Sequence, residues 1–429
     1  MMKKYELASK LRSGQLDLFE YLEELCRIIE AQEPKIHALI PGTFDRKRLL
    51  SDAKALVERY PEPHLRPALF GIPVGIKDII RTDGFPTRCG SALPAELFEG
   101  AEADCVSRLR RDGAIIAAKT VTTEFAYNEP GPTRNPHNLE HTPGGSSSGS
   151  AAAVASGFFP LALGSQTVGS VIRPAAFCGI VGFKPSFGRI SMDGVIPYSN
   201  SADHLGILCK EPAAIDAAMA VLTDNWRGLP DKLFLEDVVF GVPDGPYLDR
   251  TSANGRVFFE DQLERMRRAG CNVKRIQTFS DFNTIEKNHR RLIAAEMARY
   301  HSPWFEANRH LYRPRTLKQI EKGLLIKDDE IEALRKERCT LRQRIKQQMR
   351  EEGIWCWICP PATDHAPKGL QSTGDAVMNL PWTSAGLPVV TLPAGKDRFS
   401  LPQGVQIVSP FMEDETLVQI ADMLFEKLG

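Results

Sequence analysis

Apolar residues recur at helical spacing near the start of the chain. Leu18, Leu22, Leu25 and Ile29 fall three or four apart, and Glu33-Pro34 closes the run. This predicts a helical region over residues 1–60. The pattern then changes. Residues 67–80 and 113–118 are short apolar runs of the kind that form buried strands, with an amphipathic stretch, 105–111, between them. Residues 149–156 are small and alanine-rich after a serine suited to a helix cap, and 158–163 returns to buried-strand composition. Further on, 238–242 reads as a strand and 251–269 as a helix with Phe259, Leu263 and Met266 on one face. Gly270 stands where a glycine ends a helix, and 271–276 is the next strand. Strands alternating with helices predict an α/β fold around a largely parallel or mixed sheet.

Residues 284–350 break that rhythm. They are rich in Arg, Lys and Glu, with Ile331, Leu334, Leu341, Ile345 and Met349 at helical spacing. The expectation is an inserted helical layer over the sheet, either a solvated surface helix pair or, by slight preference, a lid or substrate wall. After it, 355–361 and 387–393 read as strands returning to the core.

Composition narrows the function classes. A chain of 429 residues holds roughly three average domains or one large α/β domain; one domain over 1–429 is the reading taken. Lys+Arg and Asp+Glu are both 54, which gives no bias toward nucleic acid or an anionic membrane. The start, Met1-Met2-Lys3-Lys4-Tyr5-Glu6, does not read as a secretory leader. The apolar stretch 151–164 contains Ser156, Gly157 and Pro160 and is too short to span a bilayer. Nine scattered cysteines fit a reducing cytoplasm better than a disulfide framework. Cys356 and Cys359 have C-x-x-C spacing, but without a second ligand pair the run reads as a buried strand ended by Pro360-Pro361.

Candidate chemistry lies in three segments. Lys77 sits in an apolar run, Gly71-Ile72-Pro73-Val74-Gly75-Ile76-Lys77-Asp78. Ser146 and Ser170 lie in glycine-rich loops, Gly144-Gly145-Ser146-Ser147-Ser148-Gly149 and Gly169-Ser170-Val171-Ile172-Arg173-Pro174. A serine hydroxyl needs a neighbouring base to become a nucleophile. A lysine serves only when neutral, and apolar burial favours that form. The G-x-S-x-G match within 145–149 is a weak nucleophile elbow, because a loop and not a strand precedes it. Ser51-Asp52-Ala53-Lys54 matches S-x-x-K but lacks its usual partner motifs.

These segments, with Thr142-Pro143, Ala175-Ala176-Phe177-Cys178-Gly179, Gly182-Phe183-Lys184-Pro185, 379–388 and Leu392-Pro393-Ala394-Gly395, resemble the amidase signature family. The resemblance implies a central mixed β-sheet covered by helices on both faces, with Ser170 as nucleophile and Lys77 as base. It places Ser146 between them, held through a cis peptide. It further implies an oxyanion hole of backbone N–H groups from Thr167, Val168, Gly169 and Ser170, with no metal or organic cofactor. Phe125, Tyr127 and Ser147 are expected at the substrate, and Ser147 is placed to reach the lysine. The expected pocket wall is 125–128, 196–203, the helical layer and Trp382-Thr383-Ser384.

Two departures bear on the loop. Many members carry Asp four residues before the nucleophile and Arg two after it, where this chain has Gln166 and Ile172, with Arg173 one position later. The reading is a cytoplasmic amide hydrolase acting on an uncharged amide, carbamate or urea-like molecule, with no nucleic-acid or membrane partner and a homodimer left open. The alternative is the glutamine-hydrolysing member of a tRNA-dependent amidotransferase complex, its A component. An inactive binding protein is disfavoured, since all three triad positions are filled.

Overall fold

In the computed structural model, which describes residues 5–228 and 233–428, the short apolar runs pair into one ten-stranded sheet. Its strands are β1 (Pro73–Lys77), β2 (Ile115–Thr120), β3 (Leu161–Gln166), β4 (Val181–Lys184) and β5 (His204–Cys209). β6 (Val239–Asp244), β7 (Asn272–Gln277), β8 (Cys356–Cys359), β9 (Val389–Lys396) and β10 (Pro402–Val408) follow. The spatial order is β2-β1-β3-β5-β4-β9-β10-β8-β6-β7. β1 runs parallel to β2 and β3, and β6 runs parallel to β7 and β8, while β5, β4, β9 and β10 are paired antiparallel. The sheet is therefore mixed.

Alternation along the central strands buries both faces. Ala162 and Leu208 pack with Ala151, Val154, Val171 and Ala175 from two helices, Ser148–Ala155 and Ile172–Phe177, and the residue that leads into the second. Their strand neighbours Leu161, Leu163, Ile207 and Cys209 join the main core, which includes Ala214, Ile215 and Met219 of the helix Ala213–Leu222. Cys356 and Cys359 are buried in β8.

Several boundaries differ from the pattern. The first strand is shorter than 67–80, because Phe70 N–H closes a turn onto Pro67 O at 3.2 Å and Gly71 takes a φ of 76°. The N-terminal helix Leu18–Ile36 runs through Pro34 before it ends. The Glu33 carboxylate then receives the N–H groups of Ala38 and Leu39, both at 2.9 Å. β4, β5 and β10 stand outside the predicted strands; Gly182, Gly206, Gly404 and Gln406 interrupt their apolar character.

The charged region forms four α-helices, Phe282–His301, Phe305–Asn308, Pro314–Leu324 and Asp328–Glu352. Ile331, Leu334, Leu341, Ile345 and Met349 are all buried, as their spacing predicts. This layer is fastened to the loop after β4. Buried Glu296 accepts from Ser199 Oγ at 2.5 Å and Ser201 N at 2.9 Å, and Arg335 of the longest helix donates to it at 2.6 Å. Within the layer, Phe282–His301 packs against Pro314–Leu324 and Asp328–Glu352, and against the short helix Leu380–Ser384.

Candidate active site

Lys77 closes β1, so its side chain emerges at the carboxyl end of the parallel strands. It is fully buried. Its Nζ donates to Ser146 Oγ at 2.6 Å and Ser165 Oγ at 2.9 Å. Burial pushes the ammonium down to about 7, with the charge of Asp203 acting the other way. Two other buried lysines show what is particular here. Lys119 on β2 pairs with Asp78 at 3.1 Å. Lys184 is also pushed down to about 7, but its amine donates to the backbone carbonyls of Pro185 and Leu387. Lys77 differs from both in having two hydroxyls as partners.

Ser146 lies in the loop that leads into the helix Ser148–Ala155, and the Gly145–Ser146 peptide is cis. The loop is held from several sides. Ser148 Oγ donates to Gly144 O at 2.7 Å, Thr123 N to Ser146 O at 3.2 Å, and Arg173 Nη2 to Gly145 O at 2.6 Å. Ser147 does not turn to the lysine. Its Oγ donates to Ser165 O and accepts from Ser165 N, both at 3.2 Å, which ties the loop to β3. The same bracing occupies the serine of the apparent G-x-S-x-G elbow.

Ser170 comes shortly after the end of β3 and meets the first loop through its backbone, where Ser147 N donates to Ser170 O at 3.2 Å. Gln166 shapes the turn. Its Oε1 accepts from Val171 N at 2.8 Å and Ile172 N at 3.0 Å, and its Nε2 donates to Thr383 Oγ1 at 3.0 Å. A neutral amide thus organises this turn without an ion pair to Arg. Arg173 is freed to hold the Gly145 and Gly374 carbonyls. Gly169 is needed for close approach: a Cβ there would stand 2.1 Å from Asn379 Oδ1. The N–H groups of Thr167, Val168, Gly169 and Ser170 have no acceptor among the described residues.

Two further residues fix this loop. Asp203 accepts from Thr167 Oγ1 at 2.5 Å and from Tyr198 N and Ser199 N at 2.7 and 2.9 Å. Burial pushes its carboxyl up to about 6. His289, from the helical wall, meets Thr167 O with Nε2 at 2.9 Å. A carbonyl only accepts, so Nε2 carries the hydrogen; burial holds the ring neutral, down to about 3. Ser165, the lysine's second hydroxyl partner, has a signal in sequence, a hydroxyl in an otherwise apolar strand just before Gln166. Asp203 stood only at the end of the expected wall. No local pattern marks its role or that of His289, since their partner Thr167 lies 36 and 122 positions away.

Ser170 opens onto a cavity of about 780 Å³. Ala126, Tyr127, Asn128 and Tyr198 line one part, and residues of the helices Phe282–His301 and Pro314–Leu324 another. Tyr127, Gln319 and Tyr198 are joined by hydrogen bonds of 3.1 and 3.2 Å. Phe125 does not reach the cavity. Its φ of 48° turns the ring into a cluster with Phe98, His301 and Tyr312. Trp382 is likewise withdrawn, packed on Tyr247, Phe279 and Trp357. The wall keeps Tyr127, Tyr198, Val168, Ile293, Leu325 and Ile326, but it also carries a feature the sequence reading did not expect: Arg173, Lys287, Arg290, Arg291 and Lys322 line the cavity against one carboxylate, Asp375.

The sheet and this site define an amidase-type enzyme. The chain belongs to the Amidase family, whose model matches residues 20–418. It is 29% identical over 464 residues to the A component of the glutamyl-tRNA(Gln) amidotransferase of Lachnospira eligens, covering 96% of this chain and 95% of that protein. It is also 29% identical over 474 residues to the same component from Gloeothece citriformis, at 97% and 95% coverage. Among solved structures, an amidase superposes with a TM-score of 0.90 at 29% identity, with all of both chains covered. The native peptide amidase of Stenotrophomonas maltophilia shares the fold, with a TM-score of 0.81 at 23% identity over 98% and 96% of the two chains. No helix among the described residues is long and apolar enough to cross a membrane.

Proposed function

We propose that the chain is a serine amidohydrolase that cleaves the C–N bond of an amide, carbamate or urea-like molecule through an acyl-enzyme on Ser170. The supporting observation is a fully buried lysine held between two serine hydroxyls, beneath a cavity onto which Ser170 opens. Neutral Lys77 takes the proton of Ser146 as Ser146 takes that of Ser170, and Ser170 Oγ forms its bond to the carbonyl carbon. The oxygen of the tetrahedral intermediate faces the N–H groups of residues 167–170, which need not reorganise to receive it. The proton returns from Lys77 through Ser146 to the departing nitrogen, the C–N bond breaks and the amine leaves. Water then attacks the ester with Lys77 again as base, releasing the acid and restoring Ser170.

The second reading, the glutamine-hydrolysing member of an amidotransferase complex, draws on the curated relatives, each named as that component of a glutamyl-tRNA(Gln) amidotransferase. Both readings share the triad and differ in the need for partners. Purified chain alone, given simple amides, is expected to release ammonia or amine to solvent. Turnover restricted to glutamine or asparagine, and dependent on added partner proteins, would establish the second reading instead.

A further inference from the structure

The cavity's charge is out of proportion to what an uncharged amide requires. Five cationic side chains and one carboxylate line it. Lys287, Arg290 and Arg291 stand at i, i+3 and i+4 on one helix and so share a face. Lys322 comes from the neighbouring helix Pro314–Leu324, and Arg173 from the helix Ile172–Phe177 that follows Ser170. Their local partners offset only part of this charge. Arg290 pairs with Glu286 at 2.8 Å and Arg291 with Glu330 at 2.5 Å. Lys287 shares the field of that same Glu330 but forms no ion pair among the described residues, and neither does Lys322. Arg173 is 5% exposed, spends its Nη groups on carbonyls and a hydroxyl, and leaves Nε without a partner. Asp375 is engaged by Val377 N at 3.0 Å.

Resting on the hydrolase reading, we infer that the substrate is an amide bearing a negative charge, a carboxylate or an equally anionic group, held by Lys287 and Lys322 while its carbonyl lies at Ser170. Cations converging in a cleft with low-dielectric walls raise the local concentration of anions and discriminate against cations. Guanidinium and ammonium groups both make charge-assisted hydrogen bonds to a carboxylate. The cavity is of small-molecule size, which favours a compact anionic amide over a nucleic-acid backbone. This replaces the uncharged substrate expected from the sequence. A run of aromatic segments could not reveal which rings turn away, or that one helix face presents three cations.

The experiment measures kcat/KM of the full chain on three matched amides: butanamide, its carboxylate-bearing analogue succinamate and its ammonium-bearing analogue γ-aminobutanamide. The expected order is succinamate, butanamide, γ-aminobutanamide, with at least about tenfold between the first two. Raising salt to about 0.5 M should compress that ratio by screening. In a Lys287→Gln, Lys322→Gln double variant the ratio should fall toward one. Because both rates come from one preparation, any misfolded fraction cancels. A ratio near one in the unaltered enzyme, or one that survives the double substitution, overturns the inference while leaving the hydrolase reading standing. Failure to hydrolyse any of the three, together with no labelling of Ser170 by a fluorophosphonate, overturns both.

Discussion

Lys77 Nζ lies 2.6 Å from Ser146 Oγ and makes no ion pair among the described residues, whereas Lys119 on the adjoining strand pairs directly with Asp78. The register explains how close these fates are: Ile76 stands opposite Lys119 and Lys77 opposite Thr120, so successive positions of β1 face different surroundings. Burial lowers the pKa of Lys119 too, but the Asp78 carboxylate beside it acts the other way. Lys77 is left with hydroxyls, and its pKa drops to about 7.

Lys77 should therefore work as a base that guanidinium cannot replace. Lys77→Ala should lower kcat/KM by about 10²–10⁴-fold, the usual worth of a positioned base. Lys77→Arg should be no better, because its side chain stays protonated. Steady-state rates at pH 8 check both.

The pH profile carries a sign. A base acts when deprotonated, so kcat/KM should rise as pH climbs through about 7, the value burial gives Lys77. Ser165 Oγ accepts from the lysine at 2.9 Å and so favours its charged form. Ser165→Ala should move the rising limb to lower pH, by about one unit. A limb that moves upward would contradict the assignment.

Asp203→Asn combines two effects. It removes the negative charge that raises Lys77, so the limb should again move acidward. It also weakens the acceptor that holds Thr167 at 2.5 Å, so kcat should fall even at pH values where the lysine is neutral. Comparing the pH-independent plateau with the limb position separates the two.

Gly169→Ala tests the loop geometry. The added methyl would meet Asn379 Oδ1 at 2.1 Å, so either the loop or Asn379 must shift. The expected loss is about 10²–10³ in kcat, that of a misplaced oxyanion donor. KM should change less, since the cavity's far wall is untouched.

Most of the fold was legible where period and punctuation agreed. Ile331, Leu334, Leu341, Ile345 and Met349 mark the buried face of the longest helix, and Gly270 ends another as its position suggested. β10 escaped because Pro402, Gln403, Gly404 and Gln406 break its alternation, and only its pairing with β9 and β8 makes it a strand. At the site, the glycine and serine loops were visible because they are contiguous in sequence. The roles of Asp203 and His289 were not, because they reach Thr167 across long separations. Phe125 misled for a local reason: its left-handed backbone turns inward a ring that a neighbouring tyrosine leads one to place in the cavity.

The central claim is the covalent intermediate on Ser170, and mass spectrometry of the intact protein tests it most directly. Incubated with an activated carbamate that acylates quickly and hydrolyses slowly, the enzyme should gain one carbamoyl mass, and peptide mapping should place it on Ser170. Ser170→Ala should gain none and lose amide turnover. An adduct on another residue, or full activity in Ser170→Ala, would contradict the account.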